Sequence, residues 1–470
     1  MAKITISKVD LGGRLPIEIF ESIAHLPGAI LLDSCGHKTS DTGKNIHLAH
    51  SIISHSPVMK VQSKLGEISF TNASSQLSLR ASADKFTNVF ALLSELQKQL
   101  IEQMAPTPTT SMPFLVGWLG AFNYDLNTQT DAIDSAGIDE YSLPEVDIGF
   151  YANSLIYNHH EQAYFWVSIE DEQVNWLSVL EQPPRPYDTF HLSSAWVANL
   201  SAHEYALKIQ RIKQYLTEGD CYQVNFAQRF CARYEGSEFD AYKQLRAHNE
   251  APFSAYLKLE SSVIMCVSPE RFLLVKDGAV ETKPIKGTIA RHQDRKTDQR
   301  LANELLASEK DRAENLMIVD LLRNDLSKHC KAFSVDVPKL FSLESYPAVH
   351  HLVSTVKGKL RDTSTPFDLL GGAFPGGSIT GCPKVRAMQI ISELEPNKRS
   401  IYCGSVGYIG IRDDMDLNIC IRTLLVEEGN LYCWAGGGIV IDSDAAKEYQ
   451  ETQDKVAKIL PVLEKTSKEK

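Results

Sequence analysis

The hydrophobic positions of this chain change period along its length, and that change predicts its elements. Ala29-Ile30-Leu31-Leu32-Asp33-Ser34 is a short continuous apolar run of the kind that forms a buried strand. Phe86, Val89, Phe90, Leu93, Leu96 and Leu100 recur at three- and four-residue intervals, which predicts an amphipathic helix over 85–103. A proline-rich stretch at 105–113 reads as an exposed loop, and strands follow around 114–124 and 146–168. Gln182-Pro183-Pro184-Arg185-Pro186 marks the next break. It sets the expected domains at 1–190 and 191–470. Beyond it Ala206, Ile209, Ile212 and Leu216 line one helical face that stops at Gly219-Asp220, and 221–230 reads as strand.

From residue 262 the pattern becomes a meander. Strands at 262–267 and 272–276 flank the turn Ser268-Pro269-Glu270, and Asp277-Gly278 is a strong hairpin signal before a return over 279–285. Carried back through that hairpin, the pairing sets Glu270 opposite Ile285. Glu270 and Lys286 then share one end of a sheet, on opposite faces unless a bulge or a bend at Pro269 or Pro284 brings them together. One long helical stretch covers 297–328, a loop 371–383, and a helix 384–394. An antiparallel set spans 404–438 with its turn at Gly429-Asn430, and Asp442-Ser443 can cap a last helix over 444–464.

At 470 residues the chain exceeds one ordinary core. With 43% hydrophobic and 23% charged residues it has the composition of a soluble globular protein, and a net charge of -11 without a basic stripe argues against nucleic acid as a partner. Nine scattered cysteines with no C-x-x-C suit reduced thiols and a cytoplasmic location; no apolar run reaches membrane-span length.

The candidate chemistry is sparse. Lys286 lies between a φ-fixing proline and a glycine at a strand end, in Pro284-Ile285-Lys286-Gly287-Thr288, where stiff neighbours suit a reacting cation. Asp311 with Glu314, and Glu448 with Glu451, repeat one i, i+3 acidic spacing on two helices. If those faces meet across a cleft they offer oxygen ligands of the kind Mg²⁺ prefers; apart, they are solvated helix faces. Gly376-Gly377-Ser378-Ile379-Thr380-Gly381 lacks the Lys-Ser/Thr of a nucleotide-binding loop, yet it feeds a helix through Pro383 and can hold a carboxylate. Ala435-Gly436-Gly437-Gly438 is either a tight turn or a second backbone-rich surface. Arg422 continues the alternation of 417–422 on the face opposite Leu417, Ile419 and Ile421, where it can fork a carboxylate or face water. His351 is a candidate for proton transfer or for a structural hydrogen bond.

Six stretches in order resemble one family: Ser268-Pro269-Glu270-Arg271, Pro284–Thr288, Lys310-Asp311-Arg312-Ala313-Glu314-Asn315, His351-Leu352-Val353-Ser354, Gly377–Gly381 and Gly436–Gly438. They are similar to those of the chorismate-binding enzymes, which include anthranilate synthase large subunits and isochorismate and salicylate synthases. The resemblance covers about 200–463 strongly and extends more weakly to Gly117–Asp125. It implies an α/β (α+β) fold, a two-lobed sandwich of antiparallel sheets with helices outside.

The resemblance also implies roles. Lys286 would be the nucleophile and Glu270 the acid; Glu314, Glu451, Asp311 and Glu448 would hold Mg²⁺. Gln223, Thr288, His351, Thr380, Gly381, Tyr408, Arg422, Gly436, Gly437, Gly438 and Lys455 would surround chorismate. Gln223 stands where water-adding members carry a lysine base, which favours a branch that uses ammonia. Lys286 stands where anthranilate synthases carry alanine, which favours amination at the 4-position to 4-amino-4-deoxychorismate, a precursor of 4-aminobenzoate and folate. Ammonia would come from a separate glutamine amidotransferase subunit, since no nucleophile-elbow cysteine is present. Ser34, Pro252, Phe253 and Ser254 resemble a segment that lines a tryptophan pocket. Two alternatives are an anthranilate synthase component I and a non-catalytic subunit that binds an aromatic metabolite.

Overall fold

The computed structural model describes residues 1–465 except 37–48, 132, 134–135, 173–175, 183 and 347–348. Pro183, part of the expected linker, lies outside the described residues. Two antiparallel sheets, of thirteen and eleven strands among the described residues, carry the fold. The larger runs from Ile4–Val9 through Ala163–Ile169, Asn153–Asn158, His50–Ser54, Ala29–Asp33, Phe253–Lys258, Val263–Ser268, Thr423–Glu427 and Asn430–Ile439 to Gln223–Glu235. The smaller includes Ala279–Thr282, Arg271–Lys276, Met415–Asn418, Ser405–Gly410, Gly117–Phe122 and Val146–Tyr151. Both sheets draw strands from either side of residue 190: Ser254 pairs with Asp33 in one, Ser405 with Phe122 in the other.

Period-two alternation explains how the larger sheet buries both faces. Ile264 and Cys266 point into the core shared with the smaller sheet, where Trp118, Phe150, Leu273 and Leu417 also lie. Val263, Met265 and Val267 point the other way, into a second core with Phe239, Tyr242 and Leu463 from the helices outside. The architecture is the expected sandwich of antiparallel sheets flanked by helices.

The hairpin at Asp277-Gly278 pairs Lys276 with Ala279 and Leu274 with Glu281, as the turn chemistry predicts. The ladder ends there and does not set Glu270 opposite Ile285. Arg271 and its strand pair instead with Met415–Asn418, and Arg271 forks the Asp416 carboxylate at 2.8 and 2.9 Å. After Pro284, Ile285–Ala290 keeps the register of Ala279–Thr282 against Val349–Lys359 as far as Ile285 opposite Val353. It then slips one residue, so that Thr288 faces His351. The bulge contains Lys286 and Gly287.

Three further expectations change. The helical stretch 297–328 is two helices, Arg295–Ala307 and Glu309–Ser327, because Ser308 leaves helical geometry and its hydroxyl accepts the Asp311 amide as an N-cap. Residues 404–438 divide between the two sheets, with Ile419–Arg422 as the crossing. The last helical stretch is likewise two pieces, Ala445–Val456, capped by Asp444, and Leu460–Lys465. Replacing Ser308 by alanine is expected to lower stability by about 1 kcal/mol, the usual worth of such a cap, read as a lower urea midpoint with an unchanged slope. An unaltered midpoint would show that the helix start needs no cap.

Candidate active site

Lys286 owes its direction to the bulge. An extra residue in one strand bends it and re-aims a side chain, and Gly287 takes a φ of +78° that other residues rarely adopt. The Lys286 Nζ donates to the Ser378 carbonyl at 3.0 Å. Burial pulls its pKa below the ordinary lysine value, against the opposing pull of Glu270, Glu314 and Glu451. Glu270 reaches the same residue from the opposite side: the Ser378 hydroxyl donates to Glu270 Oε1 at 3.0 Å. Only 7% of Glu270 is exposed, and burial raises its carboxyl pKa against the charges of Lys286 and Lys455 and the hydroxyl of Ser378. A half-buried amine of lowered pKa and a buried carboxyl of raised pKa thus meet on one serine.

The two acidic pairs lie within electrostatic reach of one another. Burial, with Asp311 and Glu448 as like-charged neighbours, raises the Glu314 carboxyl; burial and Glu451 raise Glu448. The glycine strand Asn430–Ile439 forms the floor. A Cβ at Gly437 would sit 3.3 Å from a Glu448 oxygen, 3.4 Å from one of Glu451 and 3.6 Å from Lys455 Nζ. A Cβ at Gly287 would strike the Asp311 carboxyl at 2.9 Å. Lys455 donates to the Gly436 carbonyl at 2.7 Å and pairs with Glu451 at 2.6 Å. Among the described residues no three acidic, histidine or cysteine side chains close around one point as they stand. Gly436–Gly438 is therefore mid-strand and not a tight turn: Gly436 approaches the Phe226 carbonyl and Gly438 the Gln223 amide, where a Cβ would fall at 2.4 and 2.2 Å.

Gln223 is fully buried beside Gly438, and neither atom of its side-chain amide has a hydrogen-bond partner within the chain. Arg422 lies beyond the last strand pairing of Met415–Asn418, with a φ of +51°, so the predicted strand alternation does not reach it. Burial lowers its pKa against the pull of Glu270. His351 Nδ1 shares a hydrogen bond with the Thr288 hydroxyl at 2.8 Å, and burial followed by Arg422 lowers its pKa to about 4. Thr380 turns its hydroxyl inward to the Gly376 and Gly377 carbonyls. Gly381 packs against the Gln223 carbonyl.

Tyr408 stands apart from this group. Its ring packs on Phe114, and it lines a different cavity together with Ser34, Pro252, Phe253 and Ser254. The Ser34 hydroxyl is buried there without a partner. Ser378 and Asn225 escaped the sequence reading, although Ser378 sits inside a motif and Asn225 lies two residues after Gln223. Asn225 donates to the same Ser378 carbonyl at 2.9 Å. A hydroxyl in the middle of a glycine-rich turn was the available signal.

The family model described as chorismate binding enzyme matches residues 55–461. The chain belongs to the chorismate-binding enzymes. Within that class, several curated relatives carry one particular name, aminodeoxychorismate synthase component 1. The Klebsiella aerogenes protein is 47% identical over 386 residues, 82% of this chain and 84% of its own length. The Escherichia coli (strain K12) protein is 42% identical over 449 residues, 95% of each chain. The solved anthranilate synthase component I from Streptococcus pneumoniae TIGR4 superposes with a TM-score of 0.74 at 29% identity, over 90% of this chain and 95% of that one.

The lowered pKa of His351 has a stability consequence. Between the unfolded value near ~6.5 and the folded value of about 4, the unfolded chain binds a proton that the folded chain refuses. Stability therefore falls as pH drops through that window, by roughly 2–3 kcal/mol at pH ~4.5 from this group. His351→Gln is expected to remove that part of the slope when unfolding is compared at pH 7 and 4.5; parallel losses in both proteins would refute the assignment.

Proposed function

We propose that this enzyme aminates chorismate at the 4-position to 4-amino-4-deoxychorismate, with Lys286 as nucleophile and Glu270 as general acid. The observation that carries the reading is the convergence of these two side chains on Ser378, with their proton affinities shifted in opposite directions. The names of the relatives agree with it.

Neutral Lys286 attacks ring carbon 2, both conjugated ring double bonds shift by one position, and the C4–O bond breaks. Glu270 gives its proton to the departing oxygen, which leaves as water. Ammonia then adds at carbon 4, the electrons return, and the C2–N bond to Lys286 breaks; the proton lost by the incoming nitrogen restores Glu270. The orphan amide of Gln223 beside Gly438 offers hydrogen bonds near the floor of the site without a base. That is consistent with ammonia, which needs no activation, in preference to water. Arg422 and backbone donors of the glycine segments suit the second carboxylate of chorismate. His351 and Thr288 hold each other at the strand edge.

The four carboxylates are an oxygen-only donor set; burial first, and like-charged neighbours after it, raise the pKa of Glu314 and Glu448, and this fits Mg²⁺. Glu314 and Glu451, backed by Asp311 and Glu448, would hold the ion, which when bound supplies Lewis-acid polarisation of the ring carboxylate. A glutamine amidotransferase subunit is the proposed ammonia source, in keeping with the relatives' designation as component 1. Among the described residues no helix is long and apolar enough to cross a membrane, and the proposed setting is the cytoplasm. Tryptophan is the proposed guest of the Ser34–Ser254 cavity.

Purified protein supplied with chorismate, Mg²⁺ and ammonium at alkaline pH is expected to yield 4-amino-4-deoxychorismate, identified by mass. Fluorescent anthranilate as the product would overturn the regiochemistry, and intact chorismate, even with a glutaminase subunit and glutamine, would overturn the enzymatic reading. Lys286→Ala is expected to abolish turnover while chorismate still binds. Glu270→Gln should cost on the order of 10²–10⁴ in kcat, the usual worth of a positioned acid; wild-type rates in either variant would remove that residue from the chemistry.

A further inference from the structure

Arg399 is 2% exposed and touches none of the groups assigned to the reaction, yet its hydrogen bonds end on the segments that carry them. Its Nε and Nη2 fork the Glu395 carboxylate at 2.9 and 2.7 Å. Nη1 donates to the Ile379 carbonyl at 3.0 Å and Nη2 to the Asn225 carbonyl at 2.8 Å. Glu395 in turn accepts the Ala227 amide at 2.9 Å. The guanidinium lies over the rings of Tyr124 and Tyr402, and Tyr402 stacks on Trp434 of the glycine strand. One ion pair thus joins the 376–381 turn, the strand Gln223–Glu235 and the end of the helix Lys384–Leu394.

Ile379 directly follows Ser378, which holds both Lys286 and Glu270. Asn225 spends its side-chain amide on the same Ser378 carbonyl that receives Lys286. A buried ion pair adds little net stability over apolar packing, so the distinctive contribution of this one is geometry. We propose that the Glu395–Arg399 pair is the positioning element of the reaction: it fixes the Ser378 turn against the Asn225 strand so that amine and carboxyl meet on one serine. A misplacement near 1 Å at a reacting pair costs about 10²-fold in rate, and only the planar, multi-donor guanidinium satisfies Glu395 and two carbonyls together. Lysine keeps the charge and loses the fork.

The inference rests on the Lys286–Glu270 reading, and the assay separates the two. If the wild-type chain does not aminate chorismate, that reading fails. With wild-type turnover in hand, Arg399→Lys is expected to lower kcat per folded molecule by tenfold or more, with the KM for chorismate within threefold of wild type. Glu395→Gln should behave alike, and the double variant should be no slower than the slower single one, as coupled residues require. A smaller loss of kcat, a KM that moves further, or additive losses would overturn the positioning role and leave an ion pair that merely supports the fold. Should Arg399→Lys fail to fold, Glu395→Gln decides on the same readings.

Discussion

A carboxylate or an ammonium taken out of water costs several kcal/mol unless neighbouring dipoles and charges offset it. This chain buries Glu270, half-buries Lys286 and gives them one residue in common. Ser378 serves as acceptor through its carbonyl and as donor through its hydroxyl. The same desolvation that makes the arrangement expensive lowers the lysine pKa and raises the carboxyl pKa. Much of the surrounding structure is the means of holding the shared serine in place: the bulge at Lys286, the turn before Pro383, the amide of Asn225 and the buried ion pair behind it.

The acidic cluster obeys the opposite logic. Glu314 and Glu448 gain proton affinity partly because like charges crowd them, and Lys455 relieves only part of that crowding at Glu451. Helix Ala445–Val456 lies over the glycine strand, and helix Glu309–Ser327 over the strands around Gly287 in the other sheet. The site therefore sets crowded carboxylates on one side and an amine of lowered proton affinity on the other.

How much of this was legible in the sequence depended on whether the signal was local. Pro284 and Gly287 announced a constrained lysine, and the repeated acidic spacing announced two like faces. The choice between a bulge and a bend was not legible, because pleating alone put Glu270 and Lys286 on opposite faces, and a one-residue slip leaves no mark in composition. Three consecutive glycines read equally as a tight turn or a backbone-rich surface; here they lie in mid-strand and allow close approach of Phe226 and Gln223. The alternation of 417–422 was real up to Asn418; beyond it the chain leaves one sheet for the other, a change that periodicity cannot register. Tyr408 lies in a different cavity, beside Leu119 across the sheet, which is far away in sequence.

The mixing of strands from both parts of the chain bears on how the molecule reaches its native state. Asp33 waits for Ser254, and Phe122 for Ser405, across more than half of the chain in the second case. Closing such loops costs entropy before any contact repays it, so folding dominated by these pairings is slow. The residues assigned to the reaction all follow residue 220, but their strands have no finished edges until earlier strands have docked. On that topology the catalytic part cannot mature ahead of the rest. A chain still incomplete on the ribosome would hold exposed sheet edges and no working site, which makes late, whole-chain assembly a built-in property of this fold.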